Sequence, residues 1–209
     1  MRNILVSLLL LGFAAALVGS GTLAYFSDTE TSENNVFGAG MIDISIDDEN
    51  PWISNYTMED LKPCETGWIN FTIKNLEKDD PVKIYKHINI TGYDGGLHPE
   101  SEEAEDLNDE INDIGKNITY DLHVAIYNET GALVHEEWII EETENVKVED
   151  IDCYWIYLGD IPQNGTMVVN QSYHMQPEVT NWAQGDIMYF DIEVLATQTN
   201  APAPSPLWP

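Results

Sequence analysis

Cations are scarce in this chain: 8 Lys and Arg stand against 37 Asp and Glu in 209 residues, for a formal net charge of −29. Nucleic acid and anionic membrane surfaces are excluded as partners, because both need clustered cations to displace counterions. Enzyme signatures are missing as well. There is no Gly-x-Ser-x-Gly elbow and no phosphate-binding glycine loop. Cysteine is limited to Cys64 and Cys153, which are better used as a cross-link than as a nucleophile beside histidine. The nearest approach to a zinc-peptidase helix is His135-Glu136, but Ile139 stands where the second histidine belongs. Nothing in the residues argues for an enzyme. The 43% hydrophobic content suits one packed domain of ordinary size.

What is present begins with a long apolar run. Arg2 precedes "ILVSLLLLGFAAALVG", and small residues follow up to Thr22-Leu23-Ala24. These are the three regions of a secretory signal over residues 1–24, cleaved between Ala24 and Tyr25, with an uncleaved membrane anchor as the competing reading. In an exported chain Cys64 and Cys153 either form a disulfide, worth on the order of 4 to 5 kcal/mol for so long a loop, or stand as two separate thiols. Seven Asn-x-Ser/Thr tripeptides start at Asn55, Asn70, Asn89, Asn117, Asn128, Asn164 and Asn170, more than this composition gives by chance. They point to a glycosylated surface protein. The acidity reads as adaptation to high salt or as cation binding; assembly of such chains needs salt, divalent cations or hydrogen bonds that do not depend on charge.

From Met41 the dominant period is two. "MIDISID" puts Ile42, Ile44 and Ile46 on one face, and "GWINFTIKN" puts Ile69, Phe71 and Ile73 inward. Similar alternation runs through "KIYKHINI", "TYDLHVAIY", "DCYWIYLG", "TMVVNQSYH" and "IMYFDIEVLA", separated by turns such as "YDGG", "NETG" and "PQNG". The pattern predicts an all-β, jelly-roll-like antiparallel sandwich over residues 41–199. Sequons Asn70, Asn89 and Asn170 fall on the polar phase of their strands. One segment changes period: "SEEAEDLNDEINDIG" aligns Ala104, Leu107, Ile111 and Ile114, with Ser101 as N-cap and Gly115 past the end, predicting one short helix. Residues 200–209 form a Pro-rich tail expected to be extended and exposed. Asp106 to Asn112 lacks the glycine of a calcium loop. Looser calcium candidates are Asp47, Asp48 and Glu49, and Asp94 beside two glycines. No cofactor is required.

The arm between signal and sandwich, residues 25–40, carries apolar side chains at Tyr25, Phe26, Val36 and Phe37. The stretch "GTLAYFSDTETSENNVFGAGMIDISI" resembles the signal and start region of the TasA and camelysin family, secreted proteins processed by the SipW type of signal peptidase. Gly21-Thr22, Ala24, Phe26-Ser27-Asp28, Asn35, Gly38-Ala39-Gly40 and Asp43 carry the resemblance. A second match is "NWAQGDIMYFDIEVLATQTN", with Gln184-Gly185-Asp186 before the last strand and Gln198 after it. The resemblance implies jelly-roll subunits that polymerise head to tail into pili or biofilm matrix fibres, in archaea bundling pili. It also implies that Tyr25 to about Gly38 is a donor strand entering the next copy, with Tyr25, Phe26, Val36 and Phe37 as its anchors; the competing reading of the arm is that it folds back on its own domain as an ordinary edge strand or stays disordered. Camelysins have been described as metalloendopeptidases; without a ligand constellation that activity does not carry over. The competing reading is a monomeric surface module that binds glycan, for which Trp52, Tyr56 and Trp182 are either stacking platforms or core.

Overall fold

The computed structural model describes residues 27–29, 42–53, 62–95, 113–183 and 185–209. Nine strands are assigned: β1 Ser27–Thr29, β2 Ile44–Ile46, β3 Thr66–Asn75, β4 Val82–Asp94, β5 Ile118–Tyr127, β6 Leu133–Ile140, β7 Trp155–Ile161, β8 Thr166–Met175 and β9 Ile187–Gln198. They form two antiparallel sheets, one ordered β1-β9-β4-β7 and the other β2-β3-β8-β5-β6. Apart from the β5–β6 hairpin, each strand from β3 onward hands over to the opposite sheet, which is the connectivity of a jelly roll. Sequence and structure agree on the class.

Period two explains why the sheets face each other. Ile69, Phe71 and Ile73 on β3, Tyr120, Leu122 and Val124 on β5, and Val169 and Tyr173 on β8 are buried, and they meet Ile84 and Ile88 on β4 and Ile156 and Leu158 on β7. Thus the phase read from the residues is the phase of the fold. β2 departs from it: Ser45 is buried together with Ile44 and Ile46.

Turns are set by short polar residues. Asn128 Oδ1 accepts from the N–H groups of Thr130 and Ala132, which closes the "NETG" turn between β5 and β6. Asn75 ties two connections together. Its buried Nδ2 donates to the carbonyls of Asp80 and Pro162, so the β3–β4 loop is fastened to the β7–β8 turn.

Two expectations change. The residues given to a helix lie largely outside the described set, but Ile114 to Asn117 is a 3₁₀ turn and not a helix end. The tail is largely exposed, as expected, but it is docked on the sheet. Trp155 donates its N–H to Pro206 O and accepts from the Trp208 N–H, and the Trp208 ring meets Tyr154 edge-on at 5.7 Å. Prolines bar a continuous ladder, yet the donor that Trp208 retains is enough for one parallel bridge at Leu207.

Candidate functional site

β9 is twelve residues long, and among the described residues it has a neighbour along only part of one side. β4 pairs along its whole length. On the other side β1 supplies three partners, Ser27 to Thr197, Asp28 to Ala196 and Thr29 to Leu195. Among the described residues, Ile187 to Val194 has no strand on that side. This stretch also carries apolar surface: Ile187 and Tyr189 are exposed, while Met188, Phe190 and Ile192 are half-buried against the core. An edge that carries apolar side chains is a template for another strand.

The opposite flank holds a cleft. β6 and β7 are the outer strands of the two sheets there, and between them lies a cleft of about 250 Å³ walled by Ile126, Ile139, Leu158 and Gly159. Its polar rim is His135, whose Nε2 lies 2.9 Å from Glu137 Oε2, and Tyr157, whose hydroxyl donates to Asp160 at 2.6 Å. Burial and the Asp160 carboxylate push the Tyr157 phenol well up, so it stays protonated as a donor. Leu133, Val134 and Trp138 of β6 are exposed.

Between the sheets sits a polar network that the sequence patterns did not single out. Lys86 is fully buried; its Nζ donates to Tyr120 Oη at 2.7 Å and lies 4.8 Å from the centre of that ring. Tyr120 then donates to Gln171 Oε1 at 2.8 Å, and Tyr173 donates to the same oxygen at 3.3 Å. Burial drives the lysine well below its ordinary range and both phenols upward. In "KIYKHINI" the lysine stands on the inward phase, and that was the available signal.

The remaining expected sites fare differently. Cys64 and Cys153 are free and exposed, which corrects the expected disulfide. Each sits in a left-handed turn, at φ 67 and 62. The Cys64 N–H is fixed to Met175 O at the end of β8, whereas that of Cys153 is fixed to Ile88 O on β4, so the two thiols belong to different sheets. The acidic turn is likewise occupied with its own backbone. Asp47 and Asp48 are the two left-handed residues of a tight turn, bonded both ways between Ile46 and Glu49. Asp47 accepts from the Thr72 N–H, Asp48 pairs with Lys74 and Glu49 accepts from the Ile53 N–H. Asp94 stands apart at the end of β4 in the other sheet. Among the described residues, no three His, Cys, Asp or Glu side chains gather as a metal site.

His135 and Glu136 lie on strand β6, not on a helix, and Glu136 turns instead to His123 at 3.2 Å. Trp52 stacks on Phe71 at 5.4 Å and Trp182 packs against the core, so both act as core residues. Of the sequons, Asn70 and Asn164 are exposed, Asn89, Asn117, Asn128 and Asn170 half-buried. Ala24, Tyr25, Phe26, Val36, Phe37, Asn55 and Tyr56 lie outside the described residues.

Compared with known families, residues 4–203 match the model of the camelysin metallo-endopeptidase family. The chain belongs to that family. Membership fits an extracellular structural role, as it does for the TasA-like members. No curated protein matches the sequence. Among solved structures, the infectious bursal disease virus VP2 subviral particle is similar at 9% identity and a TM-score of 0.31, covering 84% of this chain and 32% of that one. The chain therefore spans about a third of that capsid protein.

Proposed function

We propose that this camelysin-family protein is a secreted, non-enzymatic subunit of an extracellular filament, extended when the arm of one copy, residues 25–38, lies along the β9 edge of the next. What supports this reading is the long side of β9 that carries apolar side chains at Ile187 and Tyr189 and on which, among the described residues, Ser27 to Thr29 of the arm is seated. That short pairing within one chain is the closed counterpart of the proposed contact: the same edge is filled from inside the monomer and from a neighbour in the fibre. Exchange between the two states keeps the hydrogen bonds and replaces a self-contact by a head-to-tail one, which does not close on itself.

The reading makes Ala24 and Tyr25 the signal-peptidase boundary and a second copy of the chain the main partner. It gives the outward sequons the role of glycan carriers. Peptide hydrolysis has no assigned residues, since His135 and Glu136 point to different partners on a strand. The deciding experiment is a mature chain lacking residues 25–38. It should fold, by circular dichroism, and show discrete particles in electron micrographs where the full mature chain shows fibres. Fibres unchanged by the deletion would reject the mechanism.

A further inference from the structure

The outer face of the five-stranded sheet holds an arrangement that neither the core nor the strand-addition reading uses. On β3, Trp68, Asn70 and Thr72 follow one another on the same face. Trp68 is 58% exposed, beside Ser172 of β8 and beyond the reach of β2, which pairs only with residues 73–75, and its ring packs against no other aromatic among the described residues. Asn70 and Thr72 are the first and third residues of a sequon. A sugar attached to Asn70 therefore starts two residues from an uncovered indole on the same face of the strand.

We infer that Asn70 is a glycosylated position and that Trp68 is the platform on which its first sugar ring lies. Asn70 is held ready for this. Its Oδ1 accepts from the Gln171 N–H at 3.2 Å, which fixes the carboxamide by its oxygen and leaves Nδ2, the atom that carries the sugar, without a partner among the described residues. Pyranose rings present a face of C–H groups, and covering an exposed indole with such a face removes apolar surface from water on both sides.

The other described sequons lack this pairing. Two positions before them stand His87, Gly115, Ile126, Pro162 and Val168. Of these, His87 is already stacked on Trp155 at 4.9 Å, and Ile126 is buried. Asn170 is the direct cross-strand partner of Asn70 and has His123 on its other side. It is enclosed in a row that continues to Trp138, whose ring lies 4.8 Å from His123. Directly opposed residues have Cβ atoms only about 5 Å apart, so one glycan leaves no room for a second. Asn70 takes the sugar and Asn170 stays bare.

The inference needs export but not polymerisation, so it stands or falls apart from the filament reading. Peptide mapping by mass spectrometry of the protein taken from its native cell surface should find a glycan on the Asn70 peptide and none on Asn170. Four forms made in the native host then test the platform: wild type, Trp68→Ala, Thr72→Ala, which removes the sequon but keeps Asn70, and the double variant. Trp68→Ala should lower the melting temperature by about 2–4 °C when the glycan is present, the effect of one aromatic contact in a chain of this size, and hardly at all when Thr72→Ala has removed it. Trp68→Phe should retain most of the wild-type value. A bare Asn70 or a modified Asn170 overturns the site. Equal effects of Trp68→Ala with and without the sugar overturn the platform.

Discussion

Lys86 is the residue whose placement is hardest to reconcile with hydrophobic burial alone. Among the described residues its side-chain nitrogen meets no carboxylate, only a phenol and a ring face, and desolvation lowers it well below its usual range. The sign follows: between the folded and unfolded values the unfolded chain binds the extra proton, so stability rises with pH, by at most about 1.4 kcal/mol per unit. Tyr120 and Tyr173 act the other way above pH 10, where the unfolded phenols ionise first and stability falls. Urea unfolding should therefore show a maximum near pH 10. Lys86→Met keeps the volume, leaves the Tyr120–Gln171 bond and should abolish the rise between neutral pH and that maximum. At the same scale, a thiol reagent should titrate two groups per chain without reductant, and zero would restore the disulfide. Burial and Asp152 raise the Cys153 thiol, so its share of the reaction should speed up towards alkaline pH.

Among the elements, the strands that bury one face were legible from alternation: Ile69, Phe71 and Ile73 fall inward, and Trp68 and Asn70 outward, as read. β6 escaped because it is exposed on both faces over most of its length, and a strand without an inner face has no period to detect. The β9 edge could not be foreseen, since alternation gives faces but not neighbours. Nor could the seat of the tail, where a single N–H between prolines decides. Gly159 shows how an irregularity is built. It sits where the β4–β7 register slips, at φ 123, and a Cβ there would approach Ile126 Cδ1 to 2.9 Å. Gly159→Ala should lower stability by about 1–3 kcal/mol in chemical unfolding through this strain and overlap. A neutral substitution would mean the bulge relaxes without cost.

For the whole molecule, the −29 charge dominates encounters between copies. At 0.1 M salt the screening length is about 10 Å, so dilute buffer should hold copies apart and added salt should let them meet. Light scattering of the mature chain should record faster fibre growth from 10 mM to 1 M monovalent salt, as rough bounds of the screening range. Growth indifferent to salt would show that charge repulsion does not limit the encounter. The cysteine pair is a caution at this scale: two residues in an exported-looking chain suggested a staple, yet separate turns anchor them to separate sheets.

Ser27 to Thr29 and the C-terminal tail are seated on opposite margins of one sheet, the first against β9 and the second against β7, with β4 between. A pull on these two segments in opposite directions along the strand axis would load the β9–β4 and β4–β7 rungs side by side, in shear. Such a molecule resists as a lap joint does, and yields far more easily to peeling.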